Sequence, residues 1–322
     1  MTPTEAPSVL VVGAGSIGAR HARNLAAAGA AVTITDPDEG RARDAAAACG
    51  GEAAALDLAS LPRGRFDAAV VASPSSLHVH QADALLDAVD KVLVEKPIGL
   101  DAASAHHLAA HADRVAVGYN LRFHAPLEQV AALIADGRAG HVLSIDLWFG
   151  SWLPDWRPAV DYRTTYSARS ELGGGILLDA IHELDVLIWL AGTGPHQVVG
   201  AACEQSGALE LDVEDSVKAI VRCAGGELAT ISLDYLARRY RRGVQVTGDQ
   251  ATVRLDWARK VVEVEDADRI DSHPVEVPLD RAYERQAAAF VAWVQGGPGL
   301  PVDAATGLAS LALADQIREA AR

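Results

Sequence analysis

The chain has 322 residues, 50% of them hydrophobic, and a net charge of −15, enough for about two domains and a core that needs no metal or disulfide. The acidic balance excludes a general nucleic-acid binder, because no basic face is available for phosphates. Three cysteines (Cys49, Cys203 and Cys223) lack metal-ligand spacing, so no metal site is expected; they read as reduced residues of a cytoplasmic protein.

The opening MTPTEAPS is a polar tail with no basic region and does not read as a signal peptide. An apolar run, Val9–Val12, then ends in Gly13-Ala14-Gly15-Ser16-Ile17-Gly18. A helical pattern follows, Gly29 punctuates it, and a second run, Val32–Ile34, leads to Asp36. In this strand–turn–helix–strand order Gly13 allows the tight turn. Gly15 admits a pyrophosphate to the backbone, and Gly18 allows close helix packing. Asp36, 23 residues after Gly13, is spaced to accept the ribose hydroxyls of a dinucleotide. A carboxylate there favours NAD, with NADP as the alternative; Arg41 and Arg43 follow closely and read as solvated positions on the next helix, with a softening of that preference as the alternative.

Strands and helices keep alternating to about residue 119: a helix over 39–49, a strand near 52–55, a strand over 67–72, a helix over 77–88, a strand over 91–94, a helix over 101–112 and a strand over 114–117. That order predicts a doubly wound parallel sheet, whose ligands sit at the carboxyl ends of the strands. The cofactor-binding candidates there are Gly13, Gly15, Ser16, Ile17, Gly18, Asp36, Ser73, Pro74, His78, Glu95 and Lys96. The pattern then changes to a helix over 126–136, a strand over 142–149, an aromatic stretch to Gly175 and an apolar helix over 176–190. Period-two runs separated by turn signals follow, and two helices end the chain. The expectation is α/β: a Rossmann domain over 1–119, and over 120–322 an α+β domain with an open, mainly antiparallel sheet for substrate binding and oligomerisation.

The apolar helix carries Asp179, His182, Glu183 and Asp185, so no membrane span is expected. Asp179, His182 and Asp185 recur every third residue and need partners or a cleft, since burying such groups alone is costly. Lys96 ends a strand, and Pro97 holds it extended. A cation there suits a substrate hydroxyl during hydride transfer, and His182, with an ordinary pKa of about 6.5, suits the proton. Trp156, Tyr162 and Arg163 suit a polyol or acidic sugar, or else an oligomer contact. The cluster Arg238–Arg242 reads as a solvated loop or strand end, with an anionic substrate group as the alternative.

Gly13-x-Gly15-x-x-Gly18, Glu95-Lys96-Pro97 and Gly173-Gly174-Gly175 with His182-x-x-Asp185 resemble the Gfo/Idh/MocA family, which includes glucose–fructose oxidoreductase and inositol dehydrogenase. The resemblance implies NAD(P)-linked oxidation or reduction at a secondary carbinol of a sugar, cyclitol or similar substrate. It matches Lys96 to the active-site lysine and His182 to the catalytic histidine, and places Asn120 and Arg122 near the substrate. The family aspartate commonly stands four residues before the histidine; here that position is Leu178, and Asp179 is three before. The alternatives are a dinucleotide-sensing regulator and an imine or enone reductase. A homodimer or homotetramer is expected.

Overall fold

The computed structural model describes residues 6–275 and 278–322, so the first five residues of the polar tail lie outside it. Alternation starts at once: β1 (Ser8–Val12), α1 (Ser16–Ala27), β2 (Ala31–Thr35), α2 (Glu39–Cys49), β3 (Glu52–Ala53), β4 (Ala68–Val71), α3 (His78–Leu86), β5 (Lys91–Val94), α4 (Ala102–Ala105) and β6 (Val115–Val117). Next come α5 (Ala125–Ala135), β7 (Val142–Gly150), α6 (Ile176–Asp179) and α7 (Ile181–Ala191). The strands β8 (Gln197–Glu204), β9 (Ser216–Arg222), β10 (Leu228–Asp234), β11 (Arg241–Gly248), β12 (Thr252–Asp256), β13 (Val261–Glu265) and β14 (Ile270–Pro274) follow. Helices α8 (Leu279–Val294) and α9 (Ala304–Ala320) end the chain.

Two compact units result: the chain up to Phe123 with Leu279–Leu308, and His124–Pro278 with Ala309–Arg322. A single break at 119/120 therefore differs from the structure, which returns α8 to the first unit. The reason is hydrophobic: Ala287, Phe290, Val291 and Trp293 of α8 bury in one cluster with Val9, Val11 and Leu25. Polar ties reinforce it, with Arg20 over the Tyr283 ring at 4.7 Å and Arg285 Nη1 donating to the Phe123 carbonyl at 2.7 Å. Val117 N–H donates to Val302 O at 2.9 Å, drawing the segment after α8 onto the sheet edge.

The first unit is a parallel sheet in the order β3-β2-β1-β4-β5-β6. The order reverses between β1 and β4, which sets the ligand crevice at their carboxyl ends. Helix α1 packs through Gly18, His21, Ala22 and Leu25. The stretch expected to be one helix over 101–112 is the short α4 followed by 3-10 turns at His106–His111.

The second unit holds an eight-stranded sheet, ordered β14-β13-β12-β11-β7-β10-β9-β8, antiparallel except that β7 and β10 run parallel. Alternation is plain on β9, where Val217, Ala219 and Val221 are buried and Lys218, Ile220 and Arg222 are exposed. The edge strand β14 escapes the sequence pattern because its residues are mostly exposed and carry no apolar alternation. The apolar helix after Gly175 is buried as expected, but it is not continuous. Ala180 (φ −96°, ψ 26°) separates α6 from α7, so Asp179 and His182 do not share one regular helix. Long-range bonds hold the two turns separately: Leu177 N–H donates to Glu214 Oε1 at 3.1 Å, and Glu183 takes Arg242 Nε at 2.6 Å. Among the described residues no helix is long and apolar enough to cross a membrane.

Candidate functional site

In the first unit the glycine turn meets its expected constraints. Gly13 has φ +100°, and a Cβ there would lie 2.7 Å from the Ala72 carbonyl oxygen; one on Gly18 would lie 1.9 Å from Gly13 O. Gly15 differs, since a Cβ there would meet nothing within 4 Å. That open surface directly precedes Ser16 and Ile17, where α1 starts with no side-chain cap. Free backbone N–H groups beside open space fit the pyrophosphate of a dinucleotide. Asp36 Oδ2 accepts the Ala14 N–H at 2.7 Å, joining the end of β2 to this turn. Arg41, expected as a solvated position, instead donates Nη2 to Asp36 Oδ1 at 3.0 Å, although its side chain stays exposed.

The ends of β4 and β5 carry the next group. The His78 ring is buried with Nδ1 2.7 Å from Pro97 O and Nε2 2.9 Å from Ser73 O. Burial pushes its pKa below the ordinary value, against the pull of both carbonyls and of Glu95. The ring thus bridges the loop carrying Ser73 and Pro74 to the loop carrying Lys96. Glu95 takes His21 Nε2 at 2.6 Å, and its other oxygen accepts the Lys96 N–H at 3.1 Å. Burial raises the Glu95 pKa, but the His21 bond and charge with the Lys96 charge and N–H outweigh it, so the carboxyl sits below its usual value. A carboxylate so held fixes the backbone at Lys96. His21 escaped the sequence reading; its one signal is a histidine on the buried stripe of α1. Asn120 and Arg122, just beyond β6, are buried, and Asn120 Nδ2 finds no hydrogen-bond partner among the described residues.

In the second unit Asp179, at the end of α6, is the centre of a buried cluster. Tyr235 Oη donates to its Oδ2 at 2.6 Å, and Tyr166 is hydrogen-bonded to the same carboxylate. Burial and then the Asp179 charge push both phenol pKa values up, so both hydroxyls stay protonated donors. Trp156 packs edge-on against Tyr235 at 5.3 Å and so belongs to this group. The three glycines before α6 serve backbone approach: a Cβ on Gly174 would meet Tyr166 O at 2.3 Å, and Gly175, at φ +105°, faces Glu214. His182 is buried in the first turn of α7.

Next to it, Glu183 pairs with Arg242 of β11, both buried, and the guanidinium lies over the Phe149 and Trp257 rings at 5.3 and 5.5 Å. His124 stacks on Trp257 at 5.3 Å; burial, then the Arg242 charge, lowers its pKa to about 4. Arg242 thus corrects the solvated reading of the basic cluster: Arg238 and Arg239 are exposed, but Arg242 is a structural cation. Tyr162 and Arg163 lie elsewhere. Arg163 donates to Asp161 at 2.9 Å and to Glu210 at 3.3 Å, and Tyr162 Oη accepts the Glu210 N–H at 3.1 Å. Both are engaged with the segment between β8 and β9 through Glu210, and Arg163 also with Asp161. Tyr235 was missing from the sequence reading, and the pairing of Glu183 with Arg242 was not legible there, because these partners are 56 and 59 residues apart.

Residues 8–122 match an oxidoreductase family with an NAD-binding Rossmann fold, and residues 127–254 match the GFO/IDH/MocA C-terminal domain. Inositol 2-dehydrogenase of Rhizobium meliloti (strain 1021) is 29% identical over 320 residues, 95% of this chain and 94% of that one. Inositol 2-dehydrogenase 2 of Paenarthrobacter aurescens (strain TC1) is 31% identical, covering 89% of this chain and 87% of that one. Among solved structures, a levoglucosan dehydrogenase in complex with NADH and L-sorbose superposes with a TM-score of 0.84 at 21% identity, covering 99% of this chain and 97% of that one. The chain therefore belongs to the Gfo/Idh/MocA family of oxidoreductases, with an NAD-binding Rossmann unit as its first part.

Proposed function

We propose that the protein is an NAD(P)-dependent dehydrogenase or reductase that moves hydride between the nicotinamide and a secondary alcohol or ketone of a sugar, cyclitol or sugar-derived substrate. The observation that carries this reading is one chain with both family parts, in which buried Asp179 and His182 accompany a strand-end Lys96. Inositol dehydrogenases among its full-length relatives support the substrate class.

The bound nicotinamide supplies hydride acceptance in oxidation and hydride donation in reduction. Gly13, Gly15 and Gly18 with the N–H groups at Ser16 and Ile17 hold the pyrophosphate, and Asp36 holds the ribose. Ser73, Pro74, His78 and Glu95 shape and fix the strand ends beside them. Lys96 holds the reacting hydroxyl and favours its alkoxide as hydride leaves. His182 takes the hydroxyl proton in oxidation and returns it in reduction, so charge and protons balance. Asp179, held by the Tyr166 and Tyr235 hydroxyls, accepts a substrate hydroxyl with its remaining acceptor capacity. Asn120, Arg122 and Trp156 complete the substrate-binding assignment; Tyr162 and Arg163, held by Asp161 and Glu210, are left out of it. We place the protein in the cytoplasm as a homodimer or homotetramer. The oligomer is supported by the outer sheet face, where exposed Ile220 and Leu228 lie among polar side chains.

The test is fluorescence-detected titration of NADH and NADPH, then a panel of polyols and keto-sugars followed at the nicotinamide absorbance band. Lys96→Ala should lower turnover by about 100-fold or more while NADH still binds, and His182→Ala should remove a pH-dependent step near neutrality. Tight binding without turnover by any panel member would instead favour a sensor.

A further inference from the structure

The neighbourhood of Asp36 carries one unexpected arrangement. Its side chain is 7% exposed, and the chain already fills three of its roughly four acceptor positions. Oδ2 accepts the Ala14 N–H at 2.7 Å; Oδ1 accepts the Asp38 N–H at 2.8 Å and Arg41 Nη2 at 3.0 Å. Arg41 Nε also lies 3.3 Å from Asp38 Oδ2, and its own N–H donates to Asp38 Oδ1 at 3.1 Å. The guanidinium thus lies across both carboxylates, yet the Arg41 side chain remains 59% exposed. The other charges on this turn are Glu39 and Arg43, and Arg43 Nε donates to the Glu39 carbonyl at 3.1 Å.

Two vicinal ribose hydroxyls need two acceptor positions on Asp36, and only Oδ2 has one to spare. The second hydroxyl competes with Arg41 for Oδ1. A 2′-phosphate cannot donate at all, and next to an uncompensated carboxylate its charge is repelled. Here the repulsion is reduced, because a planar, exposed guanidinium is already in contact with Asp36 and matches phosphate oxygens in bidentate geometry.

We propose that Arg41 is the residue that decides between NAD and NADP in this chain: it competes with the ribose of NAD for Asp36 and transfers to the 2′-phosphate of NADP, so that both cofactors bind. The proposal rests on the NAD-binding assignment of the first unit and adds a chain-specific determinant to it.

The experiment is a fluorescence titration of NADH and of NADPH on the full chain and on Arg41→Ala and Arg41→Lys. Arg41→Ala should weaken NADPH by about tenfold or more while NADH changes by less than about threefold or tightens. Arg41→Lys, which keeps the charge and loses the fork, should fall between. The NADPH affinity of the wild type should also drop more steeply with salt than that of the alanine variant. Equal loss of both cofactors, or no change in either, overturns the role of Arg41 and leaves the cofactor site standing. A wild type that binds NADH and no NADPH also overturns it; one that binds neither removes the cofactor site itself.

Discussion

Two pairs of carboxylates, one pair in each unit, differ in whether backbone N–H groups share in holding them, although Asp36 and Glu95 are also met by the Arg41 and His21 side chains. In the Rossmann unit Asp36 and Glu95 each accept backbone N–H groups at a strand end, from Ala14, Asp38 and Lys96. In the second unit Asp179 and Glu183 are held by side chains, from Tyr166, Tyr235 and Arg242. A backbone donor survives any substitution except proline and comes with the local fold. A side-chain donor exists only where a distant strand delivers it, and one substitution removes it.

The contrast should be largest at Arg242. Arg242→Met leaves the buried Glu183 carboxylate without this guanidinium and should cost about 3–5 kcal/mol in urea unfolding, with the double variant Glu183→Gln/Arg242→Met recovering much of it. Arg41→Ala, which breaks the exposed partner of Asp36, should cost under about 1 kcal/mol. Equal losses at the two positions would erase the distinction between the units.

His124 offers a pH test of the same buried cluster. Its pKa is about 4 in the folded protein against about 6.5 unfolded, so the unfolded chain binds the proton first on acidification. Stability from this group is fully present above about pH 6.5 and is lost as pH falls toward about 4, by at most about 3 kcal/mol. His124→Asn should flatten that part of the profile; an unchanged slope between pH 6.5 and 4 would show that His124 is not its source.

Smaller effects are expected at Asp179. Tyr235→Phe removes one of two hydroxyls on the carboxylate and should cost about 1–2 kcal/mol. Because Tyr166 shares that carboxylate, the Tyr166→Phe/Tyr235→Phe pair should depart from additivity by about 0.5 kcal/mol or more in a double-mutant cycle. Strict additivity would mean that the two hydroxyls do not act on one acceptor.

Much of the Rossmann unit was legible in the sequence because its signals are local. The Gly13–Gly18 turn, the acidic residue after the second strand and the strand-end Lys96 are each marked by a short run of residues. The buried character of the helix after Gly175 was legible for the same reason, since its apolar residues leave no polar face. Its break at Ala180 was not, because Glu214 and Arg242 fix the two turns from 37 and 59 residues away. Spacing alone therefore read as one helix a segment that the structure divides into α6 and α7.

The sequence by itself carried the strand–helix alternation of the first unit, the glycine turn followed by Asp36, and the expectation that Lys96, Asp179 and His182 carry chemistry. Those follow from periodicity, glycine geometry and the cost of burying charge, which are properties of short segments. Only the tertiary structure decided that α8 joins the first unit, that Arg242 is a buried cation and not a solvated one, that Arg41 lies on Asp36, and that two tyrosines hold Asp179. Each of these depends on a partner supplied by another segment, and the free energy of such a pair exists only once the core has brought the segments together.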